Sequence, residues 1–182
     1  YMAYDAGYYN ASDPSRTKDN SKNVVAVGEA IATQLRAAGI GVIHDTTIHD
    51  SPKYTGAYDR SAATIQKNLE KYPSIKVVLD IHGRKAAQMM IIASANNSAS
   101  QPHPNWQENV RLALRLQSSL HTQYEGIVRP LYLVNSRYNQ HLTKGSLLVE
   151  VGSEANTVEE ACYGGQILGK TLAQVLNSLK GD

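Results

Sequence analysis

Apolar residues recur at three- and four-residue steps in four stretches of the chain, which is the spacing of one face of an α-helix. In the first stretch, Asn20 or Ser21 is expected to be the N-cap, and Gly39 suits the left-handed position after the last turn. The four predicted helices cover about residues 24–38, 57–72, 105–124 and 157–179.

The third and fourth helices have the clearest internal signals. In the third, Val110, Leu114, Leu116 and Leu120 are expected to face the core. The fourth begins at Thr157 with Glu160 three residues later, the spacing of a capping box. Cys162 lies in this helix, where packing explains it better than nucleophilic catalysis.

Short runs of apolar, often β-branched residues alternate with these helices and predict strands. They cover residues 40–43, 75–81, 87–94, 131–134 and 146–151. Strands that are apolar throughout are typical of a sheet covered on both faces. We therefore predict a single α/β domain over residues 1–182, a three-layer sandwich with a mostly parallel (mixed) sheet and helices on both faces. The short connection at His82-Gly83 predicts either an antiparallel join to the next strand or a longer loop.

Composition excludes several classes of protein. Lys plus Arg is 18 and Asp plus Glu is 16, and a net charge of +2 is not the basic surface that nucleic acid requires. No apolar run approaches the ~18 residues of a membrane span. The single cysteine, Cys162, excludes an internal disulfide framework and a four-cysteine metal site.

Two predicted strands end in residues that can perform chemistry. His82 follows the run VVLDI, and Glu150 ends the run LLVE. Ligands of open α/β sheets bind beyond the carboxyl ends of the strands, a neutral imidazole can bind zinc, and a carboxylate on an apolar strand can act as a general base. A structural hydrogen bond is the alternative for each. Asp80 is expected either to orient His82 or to cap the strand end.

Other polar residues have weaker signals. His44 and His49 lie beside Asp45 and Asp50, and a solvated loop explains them better than a metal site. His103, between two prolines, is expected in an exposed turn. In the segment SRYNQHL, side chains including Arg137 and Asn139 either line a cleft and bind carboxylate and amide groups or satisfy the backbone of their own loop.

The order of these segments resembles the stage II sporulation protein P family, which is related to zinc-dependent N-acetylmuramoyl-L-alanine amidases. The matching segments are residues 23–45, residues 58–82, HPNWQENVRLALRL, SRYNQHL and residues 146–161. The combination of LDIH, YNQ and LLVEVG carries the resemblance, because the zinc amidases share a strand-end histidine and a glutamate in those contexts.

The resemblance implies a function for these residues. His82 would bind zinc, and Glu150 would activate water or stabilise the tetrahedral intermediate. The protein would cleave the amide bond between muramic acid and L-alanine in peptidoglycan, and also peptide cross-links. It would be extracytoplasmic, anchored in the membrane at the sporulation septum, and would act with stage II sporulation protein D in septal thinning and engulfment.

Two departures from the family pattern keep other functions open. The family has a histidine-rich segment with a glutamate before this region, and Gly83-Arg84-Lys85 stands where it has arginine and aspartate after the strand-end histidine. One histidine cannot hold catalytic zinc alone. The alternatives are a non-catalytic peptidoglycan-binding or scaffold domain and a carboxypeptidase-like zinc enzyme that acts on stem peptides.

Overall fold

The computed structural model describes residues 17–51, 53–83, 88–153 and 156–180. This part of the chain contains four α-helices and four strands, with a one-turn 3-10 helix at Gln140–Leu142. The elements are α1 (Val24–Ala37), α2 (Ala57–Lys71), β1 (Val78–His82), β2 (Met90–Ser94), α3 (Trp106–Gln123), β3 (Tyr132–Val134), β4 (Ser146–Glu150) and α4 (Val158–Ser178).

The described strands form one mixed sheet in the order β1-β4-β2-β3. β1 is parallel to β4, β2 is parallel to β3, and β2 is antiparallel to β4. β1 and β2 therefore run in opposite directions, which is the antiparallel alternative predicted for the His82-Gly83 connection. The two strands are not neighbours in the sheet, because β4 lies between them.

The two faces of the sheet are covered differently. On one face, Ile91, Leu147 and Val149 belong to the main core together with buried residues of α1, α3 and α4. On the other, Met90, Ile92 and Leu148 form a smaller cluster. α2 lies on this second side, because the ring of its Tyr58 stacks on the ring of His82. His82 and its register partner Glu150 lie on the same face of the sheet as Leu148. The predicted α/β sandwich with helices on both faces is confirmed.

α1 packs closely against α4 because α4 presents glycines at the contact. A Cβ atom at Gly165 would lie 3.0 Å from the carbonyl oxygen of Val27, and one at Gly169 would lie 2.7 Å from that of Ile31. The start of α4 has the predicted capping box, with Thr157 and Glu160 each bonded to the other's backbone. The N-cap of α1 is Asn23, which accepts a hydrogen bond from the Val25 amide at 2.8 Å. The prediction of Asn20 or Ser21 was wrong because three neighbouring polar residues can all cap.

Two expectations about apolar positions were also wrong. Residues 40–43 are not a strand, and Ile43 is 48 % exposed. A strand requires a neighbouring strand to pair with, and none of the described strands pairs with this segment. Leu114 is 53 % exposed, whereas Leu112, two residues earlier, is buried. The inward face of α3 is formed by Leu112, Leu116 and Leu120, a spacing of four residues on which Leu114 does not fall.

A buried polar network joins the 3-10 helix to the sheet. Gln140 replaces a neighbouring strand along the end of β2, since its side chain accepts from the Ser94 amide at 2.9 Å and donates to the Ile92 carbonyl at 3.0 Å. Asn109 of α3 donates to the Gln140 carbonyl at 2.7 Å. His103 is fully buried between Ser94 and Asn109, so the expected exposed turn was wrong. A proline on each side predicts a turn but does not predict what packs over it.

None of the helices in the described residues is both long enough and apolar enough to cross a bilayer.

Candidate functional site

His82 and Glu150 are direct register partners at the carboxyl ends of the parallel strands β1 and β4. Asp80 lies two residues before His82 and therefore on the same face of β1. Paired residues of adjacent strands project from the same side of a sheet. The structure thus brings together the histidine and the glutamate that the sequence singled out, on the more thinly covered face.

The imidazole of His82 is oriented by Asp80. Its Nε2 atom lies 3.0 Å from Asp80 Oδ1. Burial lowers the pKa of His82, but the hydrogen bond to Asp80 and the negative charges of Asp80 and Glu150 outweigh burial, so its pKa lies above the usual 6.5. In the neutral ring this bond places the proton on Nε2 and leaves the lone pair on Nδ1. That arrangement is the usual one for a histidine that binds a metal.

Glu150 is held in a buried position, with 7 % of its surface exposed. β4 is paired on both sides at this residue, with His82 of β1 and with Met90 of β2. Next to it on the same face lies the apolar cluster of Met90, Ile92 and Leu148. A buried carboxylate in this position is suited to accept a proton from a water molecule that lies between it and His82.

Tyr58, in the first turn of α2, packs with its ring against the imidazole of His82. The two rings are nearly parallel, with an interplanar angle of 13° and centroids 6.5 Å apart. Burial and the charge of Asp80 raise the pKa of Tyr58 well above its usual value of 10.0, so the hydroxyl stays protonated. Sequence reasoning missed Tyr58, because one of 11 tyrosines carries no local signal that distinguishes it.

Arg137 and Asn139, the predicted substrate-binding residues, lie on the loop that follows β3. The side-chain amide of Asn139 donates both of its protons to α2. Its Nδ2 atom lies 2.8 Å from the Tyr58 carbonyl oxygen and 2.9 Å from Ser61 Oγ. Arg137 Nη1 donates to the Pro102 carbonyl at 3.2 Å. Asn139 therefore lies next to the His82 site and contributes to its construction, and Arg137 bonds to a different loop.

The loop histidines make separate contacts. His44 Nδ1 lies 2.8 Å from a carboxylate oxygen of Glu29, and His49 Nε2 lies 2.9 Å from Thr64 Oγ1. Within residues 17–51, 53–83, 88–153 and 156–180, no group of three or more His, Cys, Asp or Glu side chains is arranged to hold a metal ion. Both histidines are partly buried and bonded to helix residues, and the solvated-loop interpretation of them stays a prediction.

A groove of about 1600 Å³ runs along β1 and reaches His82. Its walls come from all four helices and from residues 39–47, and the lining is mainly apolar. Glu150, Arg137 and Asn139 are not among the lining residues. Tyr54, Tyr58 and Asp80 lie along it together with His82. This depression is large enough for an extended ligand of several groups.

The donor chemistry at His82 fits one part of a zinc site. An imidazole that is oriented by a carboxylate and lies beside a glutamate is the arrangement expected at the edge of a catalytic metal. The described residues do not complete that site, because a catalytic zinc needs about three protein ligands.

Comparison with solved structures shows that this fold is similar to that of two N-acetylmuramyl-L-alanine amidases. The amidase Ami1 from Mycobacterium smegmatis superposes with a TM-score of 0.55 at 17 % identity, over 91 % of this chain and 80 % of Ami1. The apo form of Ami1 from Mycobacterium abscessus gives a TM-score of 0.50 at 18 % identity, over 85 % of this chain and 74 % of that one. At these identities the likeness establishes the fold.

The sequence comparison defines the family. Residues 4–173 match the family model described as stage II sporulation protein P, so the chain belongs to that family. It is 24 % identical over 168 residues to stage II sporulation protein P of Bacillus subtilis (strain 168). The match covers 82 % of this chain and 42 % of that protein, so the chain spans less than half the length of this relative. The family predicted from LDIH, YNQ and LLVEVG is confirmed.

Proposed function

We propose that this chain is the catalytic domain of a peptidoglycan hydrolase that cleaves the amide bond between muramic acid and L-alanine. The observation that carries the proposal is the register pairing of His82 with Glu150 at the ends of two parallel strands. Membership of the sporulation protein P family and the fold shared with N-acetylmuramyl-L-alanine amidases support the choice of reaction.

In this proposal Glu150 is the catalytic acid and base. Its carboxylate accepts a proton from the attacking water and then delivers it to the departing amine of L-alanine. Burial keeps the carboxylate in one orientation beside His82. Proton transfer by a positioned side chain contributes typically 10²–10⁴-fold to the rate.

His82 is proposed as one ligand of a zinc ion, through Nδ1, with Asp80 holding the ring from Nε2. The remaining ligands are proposed to come from residues outside the described ranges, since those ranges contain no group of three metal-binding side chains. Zinc, when bound, would polarise the scissile carbonyl and lower the pKa of water. Asp80 and Glu150 place negative charge near the imidazole, which favours a cation at this position.

Arg137 and Asn139 are proposed to bind the peptide stem. An arginine suits the carboxylates of the stem, because its guanidinium can form paired hydrogen bonds. Asn139 uses its two amide protons within the protein, so its contribution to the substrate comes from the carbonyl oxygen Oδ1. Cleavage of peptide cross-links is proposed as a second activity of the same residues.

The cellular role is proposed from the family. The protein acts outside the cytoplasm on septal peptidoglycan during thinning and engulfment, with membrane anchorage supplied by the full-length protein. Stage II sporulation protein D is the proposed partner. The family match supports these assignments.

A non-catalytic peptidoglycan-binding domain is the second candidate. The absence of a three-residue metal-binding group among the described side chains favours it. Elemental analysis of the purified full-length protein and its His82→Ala variant separates the two. About one zinc per chain, lost in His82→Ala but retained in the matched control His121→Ala, supports the enzyme. A full-length protein that binds cell walls but takes up no zinc after supplementation contradicts the zinc enzyme and supports the binding domain.

A further inference from the structure

The side chain of His82 has two contacts of different kinds. Asp80 bonds to one ring atom, Nε2, at 3.0 Å. The ring of Tyr58 faces the imidazole at an interplanar angle of 13°. A single hydrogen bond fixes the position of one atom but lets the ring turn about the axis of that bond. A parallel aromatic ring restricts that rotation, because tilting the imidazole would lose the offset-stacked arrangement that aromatic pairs prefer at 4.5–7 Å.

Tyr58 is itself held from two directions. The ring of Tyr138 packs on it with centroids 5.3 Å apart and an interplanar angle of 40°. The side-chain amide of Asn139 donates to the backbone carbonyl of Tyr58 and to Ser61 Oγ, one turn further along α2. Two consecutive residues of the loop therefore hold the side chain and the backbone of the same tyrosine.

The backbone of this loop is in an unusual conformation. Tyr138 has a φ of 44° and Asn139 a φ of 59°, both in the left-handed region. Asparagine adopts this region readily, but a bulky aromatic residue there is an outlier that the surrounding structure must enforce. Such strained positions concentrate at functional sites. Here the residue in the strained conformation, Tyr138, is the one whose ring packs on Tyr58.

We propose that Tyr58 is a positioning residue, which fixes the plane of the His82 imidazole and is itself held by Tyr138 and Asn139. The proposal deepens the function proposed above and rests on it only for its effect on the rate. The orientation of His82 is a property of the protein alone. The aromatic ring of Tyr58 makes the contact with His82, so phenylalanine at this position preserves the orientation of the imidazole and an aliphatic side chain does not.

The ring signals of His82 test the orientation directly. In the ¹³C,¹⁵N-histidine-labelled protein without added metal, His82→Gln assigns its resonances. Tyr58→Phe is expected to leave the signals as sharp as in wild type, and Tyr58→Leu is expected to broaden them. The line width is the readout, because loss of the Tyr58 ring current shifts the signals whatever the orientation of His82. Tyr163→Leu, the same change at an exposed tyrosine of α4, is the control and leaves the line widths as in wild type. His82 signals as sharp in Tyr58→Leu as in wild type would overturn the proposal.

Tyr138→Gly keeps the proposal testable if Tyr58→Leu fails to fold. Glycine adopts the positive φ without strain and removes only the ring that holds Tyr58. Circular dichroism is expected to show a folded protein, and the His82 signals are expected to broaden. A folded Tyr138→Gly protein with sharp, unshifted His82 signals would count against the inference.

Kinetics on purified peptidoglycan supply the second measurement. Tyr58→Leu is expected to lower kcat by roughly tenfold or more with little change in KM, since a misplacement of ~1 Å can cost about a hundredfold. Tyr58→Phe is expected to restore the rate. A loss in Tyr58→Phe equal to that in Tyr58→Leu, or a change in KM alone, would contradict positioning and indicate a contact with substrate. Absence of hydrolysis by the wild-type protein would refute the proposed function, while the His82 signals would still decide the orientation.

Discussion

Asp80 Oδ1 lies 3.0 Å from His82 Nε2, and the two residues are separated by one position on the same strand. The alternation of side chains along a strand makes this contact possible, because residues i and i+2 share a face. Asp80 can therefore hold the Nε2 atom of His82 from within the same strand, which is why LDIH could be interpreted from the sequence alone.

Replacing Asp80 tests this contact. Asp80→Asn removes the negative charge and the obligate acceptor, so the neutral imidazole can turn over or change tautomer. Activity on peptidoglycan is expected to fall about 10–100-fold, the usual effect of losing the carboxylate behind a functional histidine. Asp19→Asn, at an exposed carboxylate before α1, is the control. Equal activities of Asp80→Asn and wild type would show that Asp80 only caps the strand end.

The buried network around Gln140 is expected to stabilise the fold. Gln140→Ala leaves the Ser94 amide and the Ile92 carbonyl without their partner. Each unsatisfied buried group costs about 1–3 kcal/mol, so the free energy of unfolding in urea is expected to fall by roughly 2–4 kcal/mol. Gln123→Ala, at an exposed position at the end of α3, should change it by no more than about 0.5 kcal/mol. A decrease of no more than about 0.5 kcal/mol in the free energy of unfolding of Gln140→Ala would contradict the two hydrogen bonds of the Gln140 side chain.

The pH dependence of stability is expected to include His103. Burial and the positive charge of Arg137 lower the pKa of His103, and they outweigh the opposing hydrogen bond at the Gln140 backbone. The folded state therefore keeps the neutral ring while the unfolded chain takes up a proton. This contribution is fully present above the unfolded pKa of 6.5 and is lost as the pH falls through the lower folded pKa.

Urea unfolding between pH 7.5 and pH 5 measures this effect. The free energy of unfolding of the wild type is expected to decrease on acidification, and His103→Gln is expected to decrease less steeply, whatever its stability at pH 7.5. His141 has a lowered pKa from burial as well and contributes in the same direction. The exposed His121→Gln serves as the reference. Parallel curves for wild type and His103→Gln would refute the role of His103.

The contact between α1 and α4 depends on Gly169. A Cβ atom there would lie 2.7 Å from the Ile31 carbonyl oxygen, closer than such atoms approach. Gly169→Ala is expected to lower stability by about 1–3 kcal/mol, as overpacking does. Gly41→Ala meets no atom within 4 Å and should be neutral or slightly stabilising. Thermal unfolding compares them, and a Gly169→Ala protein as stable as Gly41→Ala would disprove the close approach.

The sequence predicted the elements whose signals are local. The capping box at Thr157, the apolar period of α1 and the LDIH strand end all follow from neighbouring residues, and each is present. Residues 40–43 have the composition of a strand, but strand formation depends on a partner that is distant in the sequence. The burial of His103 depends on Gln140 and Asn109, which no local pattern connects to it.

The same distinction applies to the candidate site. His82 and Glu150 could be selected separately because each ends an apolar strand, and the family resemblance joined them. Their pairing in register required the parallel β1–β4 ladder, which the sequence does not specify. Tyr58 could not be found, since α2 reaches His82 only through the tertiary fold and the contacts of Tyr138 and Asn139.

The most direct test of the account is the rate at which the full-length protein releases stem peptides from purified peptidoglycan, with products identified by mass spectrometry. Intact stem peptides with a free L-alanine amine are expected from the wild type and from Glu125→Gln, an exposed control. Glu150→Gln preserves the shape of the side chain and should lower the rate about 10²–10⁴-fold. A Glu150→Gln protein that releases the same peptides at the wild-type rate would contradict the catalytic role of Glu150.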